Sequence, residues 1–345
     1  YSIRRQDLGN SGYLVEKHRY KKCQDEFIDA TPNLWDLLID IEEFERNFNN
    51  FNKIIINDKQ QFPKSFFIEI EMLSNCFKEG ISNLKAVLDS SDEIVKWSSF
   101  IQKTIEPQVI FNSVPLKVNQ FIKEYLLKRY SSGLFCSATL TVNEEFSHFK
   151  EKIGIDLFDL SHKVKNRIYS SPFYYADQVK VFVYNRSIDI KDPRYMLEIS
   201  RQINDISKSL KRRMLVLCTA YKQTVAIRKN LEPLIDNDDR CLIVQKLGLS
   251  RNLMVRKYLE HSNSILIGTS SFWEGVDFPG DKVEILCIVK TPFDNPYDPI
   301  IKSKIEDYAQ HGDNAFMNYQ VPEAAMKLRQ GFGRCIQKKT NTVVL

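Results

Sequence analysis

The sequence MLVLC at residues 214–218 decides the fold class. It is a continuous apolar run, and ILI at residues 265–267 and the largely apolar stretch 283–289 are of the same kind. Such runs are typical of strands that are buried on both faces, as in a parallel sheet covered by helices. Helical patterns lie between and beyond them, at residues 195–210, 250–261 and about 321–336. We therefore predict an α/β domain whose parallel sheet carries helices on both faces.

Weaker patterns extend this prediction. Strands are predicted at residues 107–112, 133–136, 179–184 and 241–245, a helix at 118–129, and a last strand after residue 336. Ligands of open parallel sheets bind at the carboxyl ends of the strands. We therefore expect the functional site in the loops that follow residues 218, 267 and 289.

The first 105 residues have a different character and are predicted to be mainly helical. The dipeptide TP at residues 31–32 supplies a cap and a first-turn proline for a helix. Apolar residues then recur at helical spacing over residues 34–48, and a second amphipathic helix is predicted over 66–88. The segment NFNNFN at residues 47–52 is predicted to end the first helix in a loop.

Composition excludes several classes of protein. The 345 residues include 49 Lys and Arg against 44 Asp and Glu, a mild excess that permits a nucleic-acid partner without indicating one. No apolar run reaches the ~20 residues that cross a bilayer, so no membrane partner is expected. Seven cysteines without a C-x-x-C pair argue against a disulfide framework, a zinc site or an iron–sulfur site, and reduced thiols predict a cytoplasmic protein. No metal site is expected.

Two motifs of nucleotide-hydrolysing proteins are missing from the sequence. None of the 12 glycines is followed by lysine, so there is no Gly-x-x-x-x-Gly-Lys-Ser/Thr loop. No acidic pair follows an apolar strand, so a magnesium-binding acid box is missing as well. The sequence begins at Tyr1 without methionine and stops within the apolar run 343–345. We therefore expect a piece of a longer protein that does not bind a triphosphate by itself.

Two segments carry residues suited to phosphate chemistry. GTSSFWEGVDFPG at residues 268–280 follows a predicted strand, and its glycines and hydroxyls permit close approach of a phosphate. QGFGR at residues 330–334 lies late in a basic helix, where an arginine beside glycines can reach a phosphoryl group. Each has an ordinary alternative, a packing turn for the first and a surface arginine for the second.

Five segments in order resemble motifs III, IV, V and VI of superfamily-2 helicases. FWEGVDFPG and the later PF resemble the DinG/XPD (Rad3-related) branch, and the bacterial DinG-like form in particular. The segments are SATL at 137–140, LVLCTAY at 215–221, residues 268–280, KTPF at 290–293 and LRQGFGR at 328–334.

The resemblance implies a domain organisation. Residues 146–345 would form the second RecA-like motor domain, and residues 106–145 the last piece of the first motor domain. Residues 1–105 would belong to a helical, arch-like segment that precedes them. The P-loop and the acid box would lie upstream, so ATP and Mg²⁺ would be bound in the complete protein and neither by this piece alone.

The resemblance also implies residue roles in a helicase that moves 5′ to 3′ on single-stranded DNA. Gln330 and Arg334 would be catalytic and face the γ-phosphate, with Arg334 as the arginine finger. ATP coupling would involve Glu274, Gly275, Asp277, Gly333 and Gln337. Nucleic-acid binding would involve Thr219, Ala220, Tyr221, Thr269, Ser270 and Ser271. Ser137 and Thr139 would couple hydrolysis to motion between this piece and the upstream RecA-like domain.

Three interpretations of the chain compete. The family pattern continues GRxxR, but Gln337 replaces the second arginine and weakens the expected stabilisation of charge on the phosphoryl group. That replacement and the missing P-loop favour a non-hydrolysing nucleic-acid-binding module derived from a helicase. A piece cut from a longer protein explains the missing P-loop more simply, so part of an ATP-dependent helicase is the leading interpretation. A dinucleotide-binding enzyme is disfavoured, because no G-x-G-x-x-G opens a helix after a strand.

Overall fold

The computed structural model describes most of the chain. The described residues are 14–20, 33–57, 62–88, 91, 93–102, 108–155, 164–171, 173, 175–184, 188–235, 239–245, 250–269, 272, 278, 282–333 and 343–344. The chain folds into two units. Unit 1 comprises Tyr1–Lys117 and Pro296–Lys304, and unit 2 comprises Val118–Asn295 and Ile305–Leu345.

Unit 1 combines two long helices with a small sheet. Its elements are β1 (Leu14–Tyr20), α1 (Asn33–Asn57), α2 (Lys64–Leu88), β2 (Ile94–Gln102) and β3 (Gln108–Pro115). The helices confirm the mainly helical character of this segment. The antiparallel sheet, in the order β1-β2-β3, was not predicted as a sheet: β1 and β2 lie where no strand was predicted, whereas β3 contains most of the strand predicted at residues 107–112. Leu38, Ile81 and Leu88 form the core between the helices, and Phe111 of β3 packs against it.

The predicted loop at residues 47–52 is wrong, because α1 continues through it to Asn57. Tertiary contacts with α2 outweigh the poor helix propensity of the asparagines. The Phe48 and Phe77 rings lie 5.7 Å apart, and the Ser74 hydroxyl donates to Asn49 Oδ1 at 3.3 Å. Asn49 itself donates to Glu45 Oε1, one helical turn earlier.

Unit 2 alternates helices and strands. Its helices are α3 (Asn119–Ile122), α4 (Ser147–Ile153), α5 (Tyr175–Gln178), α6 (Tyr195–Leu210), α7 (Tyr221–Ile235), α8 (Arg251–Glu260), α9 (Pro299–Gln310) and α10 (Val321–Phe332). A π-helical turn, Lys123–Leu127, continues α3, and another, Phe316–Gln320, precedes α10. Only the last residues of α9 belong to unit 2. Its strands are β4 (Val179–Lys180), β5 (Met214–Leu217), β6 (Cys241–Val244), β7 (Ser264–Gly268), β8 (Ile285–Ile288) and β9 (Val343–Val344).

The strands of unit 2 form one parallel sheet in the order β4-β9-β8-β5-β7-β6. Side chains of β5 alternate between two cores. Met214 and Val216 face Ile203 of α6 and the apolar face of α7. Leu215 and Leu217 face a cluster that includes Met254 of α8, with α10 packed against it. The predicted α/β fold with helices on both faces of a parallel sheet is therefore confirmed.

Several element bounds agree closely with the sequence pattern. Helix α6 has the predicted bounds, and β5, β6, β7 and β8 lie within one or two residues of their predicted ends. Two strand predictions fail. Residues 133–136 form no strand and the Leu134 side chain is 90% exposed, because no neighbouring strand pairs with this segment in the described structure. Strand β4 ends at Lys180, four residues short of the prediction. The predicted domain boundaries after residues 105 and 145 stay predictions.

None of the helices that the structure describes combines the length and the apolar character needed to cross a bilayer.

A buried arginine ties the two helices on one face of the sheet. Arg240, directly before β6, is 7% exposed. Its Nη1 donates to the Asn204 carbonyl at 3.1 Å, and its Nη2 donates to Asn204 Oδ1 at 3.0 Å and to the Leu234 carbonyl at 3.4 Å. The guanidinium therefore supplies donors to carbonyl groups near the ends of α6 and α7.

Replacing this guanidinium should destabilise unit 2. We expect Arg240→Met to lower the free energy of unfolding by about 2 kcal/mol or more, because buried acceptors lose their donors. Arg256→Met is the matched control, since the Arg256 side chain is 79% exposed and pairs with Glu260 one turn away. Chemical denaturation followed by circular dichroism measures both. Equal stability of the two variants would contradict this role of Arg240.

Candidate functional site

The carboxyl ends of the central strands lie side by side. The ladder continues one residue past β5 and past β6, where the Cys218 N–H donates to the Gly268 carbonyl at 2.8 Å and the Gln245 N–H donates to the Ile267 carbonyl at 2.9 Å. The predicted residues Thr219 and Thr269 follow directly on adjacent strands. The sheet thus brings together the ends of two of the predicted motifs.

The turn between β5 and α7 is organised by one side chain. Gln223, in the first turn of α7, directs its Oε1 back toward the end of β5. This oxygen accepts from the Thr219 N–H at 2.9 Å, from the Thr219 hydroxyl at 3.2 Å and from the Ala220 N–H at 3.2 Å. Tyr221 is the first residue of α7. Three hydrogen-bond donors of the predicted nucleic-acid-binding residues therefore converge on a single point.

The end of β7 has a similar arrangement. Thr269 is 6% exposed, and both its N–H and its hydroxyl donate to Gln245 Oε1, at 2.7 Å and 3.0 Å. Gln245 itself follows the neighbouring strand β6. Thr219 and Thr269 therefore form the same hydrogen-bond pattern: each donates from its backbone N–H and from its hydroxyl to a glutamine oxygen.

The turn after β7 requires glycine at position 268. A Cβ atom there would lie 2.3 Å from Cδ2 and 2.7 Å from Cγ of Phe272. The Phe272 ring is fully buried in the core, and the Phe272 N–H donates to the Thr269 carbonyl at 2.7 Å. Close packing of this ring over the backbone therefore determines where Thr269 lies.

A methyl group at position 268 should disturb this turn. We expect Gly268→Ala to reduce the free energy of unfolding by about 1–3 kcal/mol, because the buried Phe272 ring has to move. Gly80→Ala is the matched control: its Cβ meets nothing within 4 Å on an exposed position of α2. Helix propensity predicts that this control is more stable than the parent by up to about 1 kcal/mol. A Gly268→Ala variant as stable as the parent would refute the packing argument.

A second group of predicted residues meets on α10. Gln330 Nε2 donates to Thr139 Oγ1 at 3.5 Å, and Thr139 Oγ1 lies 3.3 Å from Ser137 Oγ. The neighbouring Arg329 donates from Nη1 to the Thr141 carbonyl at 3.0 Å and to its hydroxyl at 3.3 Å. The structure thus brings together SATL and QGFGR, which are 191 residues apart at the Thr139–Gln330 contact.

The two ends of the Gln330 amide differ. Its Oε1 is buried and has no hydrogen-bond partner among the residues that the structure describes, while Nε2 donates to Thr139. A buried carbonyl oxygen without a donor is costly, so a donor such as water or a ligand hydroxyl suits this position. Gly333 follows α10, and its N–H donates to the Arg329 carbonyl at 3.0 Å.

The beginning of α10 is held by an ionic cluster. Glu323 Oε1 accepts from His148 Nε2 at 2.9 Å and from Lys152 Nζ at 2.5 Å, both on α4. Burial by itself raises the pKa of Glu323, but the hydrogen bonds from His148 and Lys152 outweigh it and hold that pKa at about 2. An ion pair between Lys327 and Asp294 holds the same helix one turn later.

The low pKa of Glu323 predicts a pH dependence of stability. The carboxylate contributes stability above its ordinary pKa of 4.5, and this contribution falls as the pH decreases from 4.5 toward 2. The difference in melting temperature between the parent and Glu323→Gln should shrink as the pH falls below about 5. Glu232→Gln, at an exposed ion pair with Arg228, is the control and should show no such trend. A difference that does not change between pH 7 and pH 3 would contradict this account.

Some predicted site residues lie outside the described residues. These are Ser270, Ser271, Glu274, Gly275, Asp277, Arg334 and Gln337. Their roles stay predictions. Within the described ranges, no group of three or more His, Cys, Asp and Glu side chains is arranged to hold a metal ion.

Four residues that organise the site belong to no motif identified in the sequence. They are Thr141, Gln223, Gln245 and Glu323. Sequence reasoning could have found Gln245 from its position directly after an apolar strand, where ligand-binding side chains are common. Gln223 lies four residues after Thr219, a spacing that helical geometry brings together at a helix start.

Comparisons with known proteins find similarity to helicases. Residues 203–345 match the family model described as helicase C-terminal domain. The chain is 26% identical over 344 residues to the 3′-5′ exonuclease DinG of Bacillus subtilis (strain 168), which covers 96% of this chain and 36% of that protein. It is 29% identical over 231 residues to the ATP-dependent DNA helicase YoaA of Escherichia coli (strain K12), which covers 67% of this chain and 35% of that protein.

A solved structure titled XPD_Helicase superposes on 82% of this chain and 51% of its own, with a TM-score of 0.49 at 12% identity. The chain spans about a third of the length of the two curated relatives.

Proposed function

Because the chain belongs to the DinG-like branch of the Rad3-related helicases and corresponds to their C-terminal part, we propose that it supplies the second motor domain of an ATP-dependent DNA helicase. In this proposal unit 2 carries part of the track for single-stranded DNA and one wall of the ATP site. The other wall, with the P-loop and the acid box, belongs to an upstream RecA-like domain of the same protein. Translocation runs 5′ to 3′ on the strand.

One observation carries the DNA part of the proposal: backbone and hydroxyl donors collect at two adjacent strand ends. The donors belong to Thr219, Ala220 and Thr269. Backbone N–H and threonine hydroxyl groups bind phosphate oxygens without reading bases. A motor that passes every sequence needs contacts of this kind.

The ATP part of the proposal rests on the end of α10. Within the described part of the chain, the buried amide oxygen of Gln330 has no hydrogen-bond partner, which suits an ordered water beside a nucleotide. Arg334, four residues further along the sequence, would place a guanidinium on the γ-phosphate. When both walls are present, binding and hydrolysis of ATP with its Mg²⁺ would supply the free energy that closes and reopens the cleft. In this proposal unit 2 alone does not need to bind ATP or Mg²⁺.

The contact between SATL and α10 supports a coupling role for Ser137 and Thr139. Thr139 reaches Gln330 at 3.5 Å, and Thr141 accepts from Arg329. A change in the position of the Gln330 amide on nucleotide binding would therefore act directly on the segment 137–141. We propose that this contact transmits the state of the nucleotide.

The exonuclease activity in the name of the Bacillus relative is not part of the proposal, because the chain aligns with 36% of that protein.

A non-hydrolysing nucleic-acid-binding module is the second candidate function. Gln337 favours it, since glutamine offers no charge where the family pattern has a second arginine.

The decisive experiment measures ATP hydrolysis by the complete protein. We expect Arg334→Ala to reduce hydrolysis stimulated by single-stranded DNA by about 10³-fold, because an arginine finger contributes at least this much. Binding to an oligo-dT strand should remain and should weaken with added salt. Arg251→Ala, at an exposed position at the start of α8, is the control and should hydrolyse ATP like the parent.

The same assay separates the two candidates. Hydrolysis that survives Arg334→Ala would refute the assigned role of that arginine. A complete protein that binds single-stranded DNA but never hydrolyses ATP would favour the non-hydrolysing module. Gln337→Arg should raise the turnover of an active enzyme, because a second guanidinium would then reach the phosphates.

A further inference from the structure

The donors assigned to the DNA track are hydrogen-bonded to two glutamine side chains. A threonine hydroxyl has a single proton, and a backbone N–H has one as well. Thr219 directs both of these protons at Gln223 Oε1, and Thr269 directs both at Gln245 Oε1. Phosphate oxygens are acceptors, so they compete with the two glutamine oxygens for the same protons. No phosphate can accept these bonds while both glutamines keep them.

The glutamines have the properties of a temporary acceptor. Thr269 is 6% exposed, so its N–H and hydroxyl need a partner whenever no ligand is present. A neutral amide oxygen supplies that partner and, unlike a carboxylate, does not repel an approaching phosphate. Gln223 and Gln245 are themselves half-buried rather than enclosed. Their side chains therefore have solvent on one side into which they can turn.

We propose that Gln223 and Gln245 occupy the positions of two phosphate oxygens in the DNA-free state and give up their donors when single-stranded DNA binds. This inference rests on the proposed function, since it concerns the same donors. Each glutamine oxygen is a temporary acceptor for a threonine hydroxyl and a backbone N–H. The cost of breaking these bonds lowers the affinity for DNA, which favours release of the strand during each cycle of movement.

The test is a matched pair of substitutions at each glutamine, measured with a fluorescein-labelled oligo-dT strand at one salt concentration. Gln223→Leu and Gln245→Leu remove the competing acceptor and should tighten binding about threefold to tenfold each. Gln223→Glu and Gln245→Glu hold the donors by charge-assisted bonds and repel phosphate, so they should weaken binding about tenfold or more. Gln202→Leu is the control, because Gln202 pairs with Glu198 on α6 and away from the strand ends.

A merely structural role for the glutamines predicts the opposite pattern. Leucine would then leave the turns unsupported and weaken binding, whereas glutamate would accept the same bonds and leave binding unchanged. That pattern, or equal affinity in all four variants, would overturn the inference while the proposed function stands. Failure of the parent protein to bind oligo-dT would overturn both. Melting curves identify a leucine variant that does not fold. The glutamate variants retain an acceptor, so their affinity for oligo-dT then tests the inference.

Discussion

The structure depends on a strand that has no exposed side chain. All four residues of β5 are fully buried, and the strand is hydrogen-bonded to β7 on one side and to β8 on the other. Each side chain contributes about 1.5–3 kcal/mol of apolar burial, so displacing this strand is expensive. The residues that follow it cannot shift along the sheet independently of the neighbouring strand. The relative position of Thr219 and Thr269 is thereby set by the core.

The apolar pattern predicted this part of the fold because burial alone determines it. Helix α6 has the bounds that its periodicity indicates, and the central strands coincide with the continuous apolar runs. The pattern failed where partners from distant sequence decide the conformation. The asparagines at 47–52 are helical because Ser74 and Phe77 of α2 lie beside them. Residues 133–136 have strand-like composition, but no strand pairs with them in the described structure.

The roles of the candidate site residues stay predictions, but the grouping of some of them can be compared with the fold. Motif resemblance identified Thr219, Thr269, Gln330 and Thr139, and the fold brings these residues into two groups, one at the strand ends and one at the end of α10. The partners of these residues were not predictable, because a glutamine outside a motif has no chemistry that distinguishes it in one sequence. A side-chain acceptor becomes recognisable only when the distances are known, as with the 2.7 Å contact between the Thr269 N–H and Gln245.

The two groups are connected by shared packing. Leu328 and Phe332 of α10 pack against the hydrophobic cluster that contains Phe272. Phe272 in turn lies over Gly268, the residue before Thr269. The polar side of the same helix carries Arg329 and Gln330 to the segment 137–141. Because this cluster is close-packed, a rotation of α10 would disturb the side chains against which Leu328 and Phe332 pack. Position 268 has no room for a Cβ atom beside the Phe272 ring, so the turn that carries Thr269 depends on the packing of the same cluster.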